Sequence, residues 1–395
     1  MAGTPGIPMN GTPSARSEVP PFHVMEVLRA AQERQRTHGD MILLCVGQPS
    51  TPAPRPVLDA VHTAIESEQL GYTQGDGIPA LREAIAAHYA RTYDVTVAPE
   101  DVLISTGSSG GFSTVLLAAF DAGDRVAMAR PGYPAYRNTL RALGLQPVEI
   151  DCGPQTRYQP TVGQLDALHA AQPLQGLIVA SPANPTGTII DPEQLAAISQ
   201  WCAAHEVLLL SDEIYHGISY GRATHTAWEF GRESVVLGSV SKFWSMTGWR
   251  LGWNLLPQWL HRPVDVLQSN LAICAPAVSQ YGAVAAFSPE STAELQRHVE
   301  RYASCRELLL RRLPELGIDA FAPPDGAFYA YCDVSHLTDD SIAWCQEVLD
   351  RTGVAIAPGV DFDPEHGNRF VRFSFCVEPA QLDEALDRLV AMLRD

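Results

Sequence analysis

The feature that most constrains this chain is the run at residues 239–253, Ser-Val-Ser-Lys-Phe-Trp-Ser-Met-Thr-Gly-Trp-Arg-Leu-Gly-Trp. It follows the apolar triplet at 235–237, which reads as a short buried strand. A lysine placed just past such a strand, among Phe243, Trp244 and Met246, sits in poorly hydrated surroundings. Desolvation disfavours the ammonium form, so Lys242 is expected to be a usable nucleophile toward a carbonyl. Ser239 and Arg250 flank it and together offer a hydroxyl and a fork of N–H donors suited to a phosphate. Trp244 reads equally well as core.

The remainder alternates apolar strands with helices, as a mostly parallel α/β sheet does. Strands are expected at 102–104, 125–128, 176–180, 207–210 and 235–237, each passing into a polar or glycine-rich loop. In an open parallel sheet the carboxyl ends of the strands form the ligand crevice, so five such loops can converge on one site. After about Phe287 the order changes to a charged helix, a strand at 327–331, a helix at 341–352, a strand at 370–375 and a final helix. This pattern predicts a large domain over 48–287 and a smaller α+β domain from 19–47 and 288–395. A mobile Gly/Pro/Ser/Thr-rich arm is expected over 1–18. The segment 41–46 is expected to be a strand ending at Gly47.

Several loops carry chemistry on their own terms. Gly107, Ser108 and Ser109 open a helix whose free N–H groups and dipole favour an anion. The loop matches neither a Walker A sequence nor a dinucleotide fingerprint. Asp212 ends the most apolar strand, where a carboxylate is costly unless paired. Tyr215, three residues on, shares its face if the turn is helical. Arg372 stands in a strand between aromatic neighbours and needs an anion if it is buried.

Taken together, these segments resemble the class I/II aminotransferases, which are fold-type-I pyridoxal-phosphate enzymes. The resemblance runs from about Phe22 to the C-terminus and includes Ser-Pro-Ala-Asn-Pro-Thr-Gly at 181–187 and Pro-Gly-Tyr-Pro-Ala-Tyr at 131–136. It implies that Lys242 holds pyridoxal 5'-phosphate as an internal aldimine and then moves a proton as acid and base. It implies that Asp212 keeps the pyridine nitrogen protonated, and that Asn184 and Tyr215 bind the ring's phenolic oxygen. Tyr133 would stack on the ring, while Gly107, Ser108, Ser109, Ser239 and Arg250 would cradle the phosphate. Arg372 and Gly47, with Asn184, would take the substrate carboxylate, and Tyr72 would reach the phosphate of a neighbouring subunit in a homodimer. The implied activity is ping-pong transfer of an amino group from an amino acid to a 2-oxo acid. A lyase or γ-substitution enzyme resembling aminocyclopropane-carboxylate synthase would carry the same residues.

Composition narrows the partners. A formal net charge of −18, with acids scattered along the chain, disfavours nucleic acid or an anionic membrane as partner. No apolar run is long enough to span a bilayer, and no secretory signal is read at the start. Eight cysteines stand singly, without C-x-x-C pairs, as expected for a cytoplasmic protein with no metal site. No second arginine is assigned to a side-chain carboxylate, and Phe22, Tyr133, Trp244 and Phe328 suggest an apolar or aromatic substrate pocket.

Overall fold

A computed structural model of the chain describes residues 11, 13–67 and 70–394. Most of the expected arm, residues 1–10 and 12, lies outside the described residues; Ala15–Ser17 form one 3-10 turn capped by Ser14. The strands in chain order are β1 (Ile42–Leu43), β2 (Val102–Ser105), β3 (Arg125–Arg130), β4 (Gln146–Asp151), β5 (Gly176–Ala180) and β6 (Leu208–Asp212). They continue with β7 (Val235–Ser239), β8 (Gly252–Leu255), β9 (Tyr329–Asp333), β10 (Val354–Ala355), β11 (Ala357–Pro358) and β12 (Phe370–Ser374).

Seven of these strands form one sheet in the order β2-β8-β7-β6-β5-β3-β4. Only β8 runs against its neighbours. Strands β5 to β7 are apolar on both faces because both faces are covered. Leu177, Val179, Leu209 and Val236 pack with Leu81, Ile85, Leu195 and Ile198 on one side. Ile178, Leu210, Val235 and Leu237 pack with Val115, Leu116, Leu140 and Leu260 on the other. The two-residue period of a strand is thus read directly in which core each side chain joins. A separate core gathers around β9 and β12, with Leu309, Val348 and Leu386 from three covering helices. Among the described residues no helix is long and apolar enough to cross a membrane.

One expectation is corrected, and two strands of the large sheet, β4 and β8, were not expected. The predicted strand at 41–46 shortens to Ile42–Leu43, because its partner β10 is itself only two residues long. Beyond it the chain crosses to β12, where Ser374 donates to the Leu44 carbonyl at 2.8 Å. Strand β8 went unread, since its residues belong to the Trp-rich run after Lys242 and carry no alternation of their own.

Asp361 anchors the helix His23–His38, its carboxylate accepting from His23 N at 2.9 Å and Val24 N at 2.7 Å. A carboxylate at a helix N-terminus satisfies free donors and opposes the dipole. Asp361→Ala should therefore lower unfolding free energy by about 1–2 kcal/mol, measured by urea denaturation.

Candidate functional site

Strands β2, β3, β5, β6 and β7 all point their C-terminal ends the same way, and the loops that follow line one cavity of about 330 Å³. Strand β8 runs opposite, so Arg250, two residues before it, returns to that same end. From the second core, Tyr329 and Arg372 close the cavity, and Phe22, Val24 and Met25 form its rim.

Lys242 occupies the turn after β7, and its Nζ donates to the Gly47 carbonyl at 2.6 Å. Burial, aided by the fields of Arg372 and Arg250 and opposed by Asp212 and Cys376, lowers its pKa to about 8. It is also the chain's only lysine; every other member of the 27 Lys+Arg residues is arginine. Asp212 ends β6, opposite Leu237 of β7, so acid and lysine emerge on adjacent strands. Tyr136 donates to Asp212 Oδ2, and Ile214 N donates to Oδ1 at 3.1 Å. Burial pushes this carboxyl up, while those hydrogen bonds and Lys242 pull it back toward ionisation.

At the closed end Arg372 is 2% exposed. Its Nη1 donates to Asn184 Oδ1 at 2.7 Å, its Nη2 donates to the Cys45 carbonyl, and its Nε has no partner. The guanidinium lies between the rings of Tyr329 and Phe362, 4.3 and 4.7 Å from their centroids. Gly47 has to be glycine here, because a Cβ would overlap the Tyr329 hydroxyl. Tyr215 exchanges a 2.7 Å hydrogen bond with that same hydroxyl.

The opposite end offers donors. Gly107, at φ +68°, opens the helix Gly107–Ala119, and a Cβ there would meet the Arg250 guanidinium. Ser108, Ser109, Thr247 and Arg250 line the cavity at this end, and Arg250 Nη1 donates to the Thr247 carbonyl at 2.9 Å. Gly107 lies behind them rather than on the cavity wall. Tyr133 lines the middle, edge-on to Phe22 at 6.0 Å and to Tyr136 at 5.4 Å.

Besides Gly107, four sequence-derived positions stand away from the cavity wall. Ser239 is buried in β7 and donates to Ser241 Oγ at 2.9 Å; Ser241 is the serine on the wall. Tyr72 is 83% exposed on a separate shallow face beside Thr106 and Ala275. Of the suggested aromatic pocket, Phe22 and Tyr133 face the cavity, whereas Trp244 and Phe328 pack inside the two cores. Sequence reading missed Tyr136, Tyr329 and Ser241. Tyr136 was visible as the last residue of Pro-Gly-Tyr-Pro-Ala-Tyr, and Tyr329 as one of the aromatics at 327–331, but nothing local marks either as facing a ligand.

A family model described as aminotransferase class I and II matches residues 39–389. The chain is 56% identical over 380 residues to a valine–pyruvate aminotransferase of Mycobacterium tuberculosis, covering 96% of this chain and 97% of that one. A crystal structure of an aminotransferase from Mycobacterium tuberculosis superposes with a TM-score of 0.94 at 55% identity, covering 97% of this chain and 99% of that one. An aspartate aminotransferase from Thermus thermophilus with maleate superposes at 0.91 with 27% identity, over 96% and 99% of the two chains.

The lone lysine makes its electrostatics measurable. Reductive methylation with formaldehyde needs the neutral amine, so the rate at Lys242 should rise with pH through about 8 and then level off. An exposed lysine would keep accelerating past pH ~10. Peptide mapping separates Lys242 from the α-amine.

Proposed function

The chain belongs to the class I and II aminotransferases and carries an amino group between an amino acid and a 2-oxo acid, and on that premise we propose that it does so with pyridoxal 5'-phosphate in this cavity, acting on a small apolar amino acid. The observation that carries the reading is a partly neutral lysine with a buried carboxylate on one side and an unneutralised arginine on the other.

The residues present fit the cofactor. Arg250 and the hydroxyls and N–H groups of Ser108 and Ser109 suit a phosphate, with the bare Gly107 behind them leaving room for the Arg250 guanidinium. Ser239 acts behind Ser241, whose hydroxyl it orients. With the cofactor bound, Asp212 would hold a proton on the ring nitrogen, Tyr133 would cover the ring face, and Tyr215 would donate to the ring oxygen. Asn184 gives its Oδ1 to Arg372 and so keeps its amide hydrogens for that oxygen. When bound, the cofactor supplies an aldehyde for the amine and a ring that accepts the electron pair released with the α-proton. Lys242 moves that proton at the substrate α-carbon, where a pKa near working pH suits both directions. Arg372 and the backbone of Gly47 take the α-carboxylate and aim the C–H bond.

Among the described residues, Arg250 and Arg372 are the only arginines on the cavity wall, and Phe22, Val24, Met25 and Val46 make its rim apolar. This supports a monocarboxylic apolar donor, as does the 56%-identical relative named for valine and pyruvate. We place the enzyme in the cytoplasm as a homodimer with shared sites. A second copy would cover Tyr72 and the nearby exposed Leu271 and Ile273. Sedimentation should then give a dimer, and Tyr72→Phe should loosen cofactor binding without changing that mass; a monomer with full cofactor affinity would sink the shared site.

The first test adds L-valine to protein loaded with pyridoxal phosphate. The visible band should give way to pyridoxamine phosphate, return with pyruvate, and be missing in Lys242→Ala. Release of ammonia instead, or no cofactor uptake, would overturn the reading. Arg372→Lys should cost about 10- to 100-fold in kcat/KM for valine, mostly through KM, because a bidentate charged contact becomes a point charge.

A further inference from the structure

Tyr329 touches the carboxylate-binding, ring-binding and lysine-holding groups together. It opens β9, where the register sets it opposite Ser374 and sets Tyr331 opposite Arg372. Arg372 is therefore its diagonal neighbour across the pair, within reach of an aromatic ring. Its guanidinium lies 4.3 Å from the Tyr329 centroid. At the other end of the ring, the hydroxyl meets the Tyr215 hydroxyl at 2.7 Å. The same hydroxyl fills the space beside Gly47, whose carbonyl accepts from Lys242 Nζ at 2.6 Å.

We propose that Tyr329 is a positioning residue that couples Arg372 to Tyr215 and Lys242, its hydroxyl donating to Tyr215 so that the Tyr215 proton is left for the ligand. Resting on the function proposed above, the argument uses the chemistry of a buried phenol pair. Tyr329 is 1% and Tyr215 4% exposed, and each hydroxyl has the other as its hydrogen-bond partner. A hydroxyl has a single proton, and if Tyr215 spent its own on Tyr329 it could only accept from a ring oxygen. Tyr329 as donor resolves this, and the ordered pair polarises Tyr215 into a stronger donor. The electron-rich face of the ring meanwhile supports the Arg372 guanidinium, so a carboxylate drawn to Arg372 acts on the same side chain that orders Tyr215. A purely structural Tyr329 would fill space and sustain Arg372 through its ring, and its hydroxyl would be dispensable.

The test separates hydroxyl from ring with Tyr329→Phe and Tyr329→Leu. Apo-protein is titrated with pyridoxal 5'-phosphate by tryptophan fluorescence, and loaded protein with isovalerate, an unreactive carboxylate, by calorimetry. Tyr329→Phe should bind the cofactor about fivefold more weakly, the worth of one neutral hydrogen bond, and bind isovalerate as the wild type does. Tyr329→Leu should weaken isovalerate as well. In a cycle with Tyr215→Phe, the double variant should bind the cofactor no worse than Tyr215→Phe alone, because one hydrogen-bonded chain is being cut twice. Wild-type cofactor affinity in Tyr329→Phe, or losses that multiply in the double variant, would overturn the coupling while leaving the function intact. A wild-type protein that takes up no cofactor would overturn both. Should Tyr329→Leu not fold, the Phe cycle alone decides.

Discussion

The structure depends on burying one guanidinium. Arg372 is closed off from water, yet among the described residues no carboxylate pairs with it. Such a charge is tolerated only where hydrogen bonds and polarisable faces surround it. Its surroundings come from four places: Cys45 in the segment before the large sheet, Asn184 after β5, Tyr329 on β9, and Phe362 in the turn before β12. None of these is near the others in sequence. The N-terminal segment has to return to the second core, and the two cores have to meet at this cavity, for the charge to be housed at all. What remains unsatisfied, its Nε and its positive charge, is what a ligand carboxylate neutralises.

Around that charge the electrostatics are divided between neighbouring residues. Asp212 and Glu213 are consecutive, yet they serve different sides of the chain. Asp212 turns into the cavity toward Lys242, and Glu213 turns into the core, accepting from Ser211 Oγ at 2.9 Å and Ala227 N at 2.8 Å. Burial raises Glu213 to about 8, which favours its neutral form and opposes a second negative charge beside Asp212. Lys242 feels Arg372, Arg250 and its own burial pushing one way and Asp212 the other. The outcome is an amine poised within reach of both protonation states, a property of the assembled cavity and of no single neighbour.

Much of this could be read in the chain. The alternation of apolar strands with Gly-, Pro- and Ser-rich loops identified the sheet, because buried parallel strands need continuous apolar runs and their loops need breakers. Lys242, Asp212, Asn184 and Tyr215 were legible because each follows such a strand directly, within segments whose residue order is itself distinctive. The short β1 was not legible, since the length of a strand is set by its partner. Nor was the exchange between Ser239, which ends β7, and Ser241 in the turn after it, two hydroxyls of which only one meets the cavity. Trp244 and Phe328 misled for a related reason: an aromatic side chain has the same apolar character whether it faces a ligand or a helix.

By itself, then, the sequence determined five strands of the large sheet, the loops at their carboxyl ends, and the residue types available for chemistry, because these follow from local spacing and backbone preference. The tertiary structure decided the partners. Tyr136 on Asp212, Tyr329 on Tyr215, and the Gly47 carbonyl on Lys242 join residues 76, 114 and 195 positions apart. No local pattern encodes such pairings: the first forms only once the helix carrying Tyr136 packs on the large sheet, and the other two only where the second core and the N-terminal segment meet that sheet and exclude water from the groups between them.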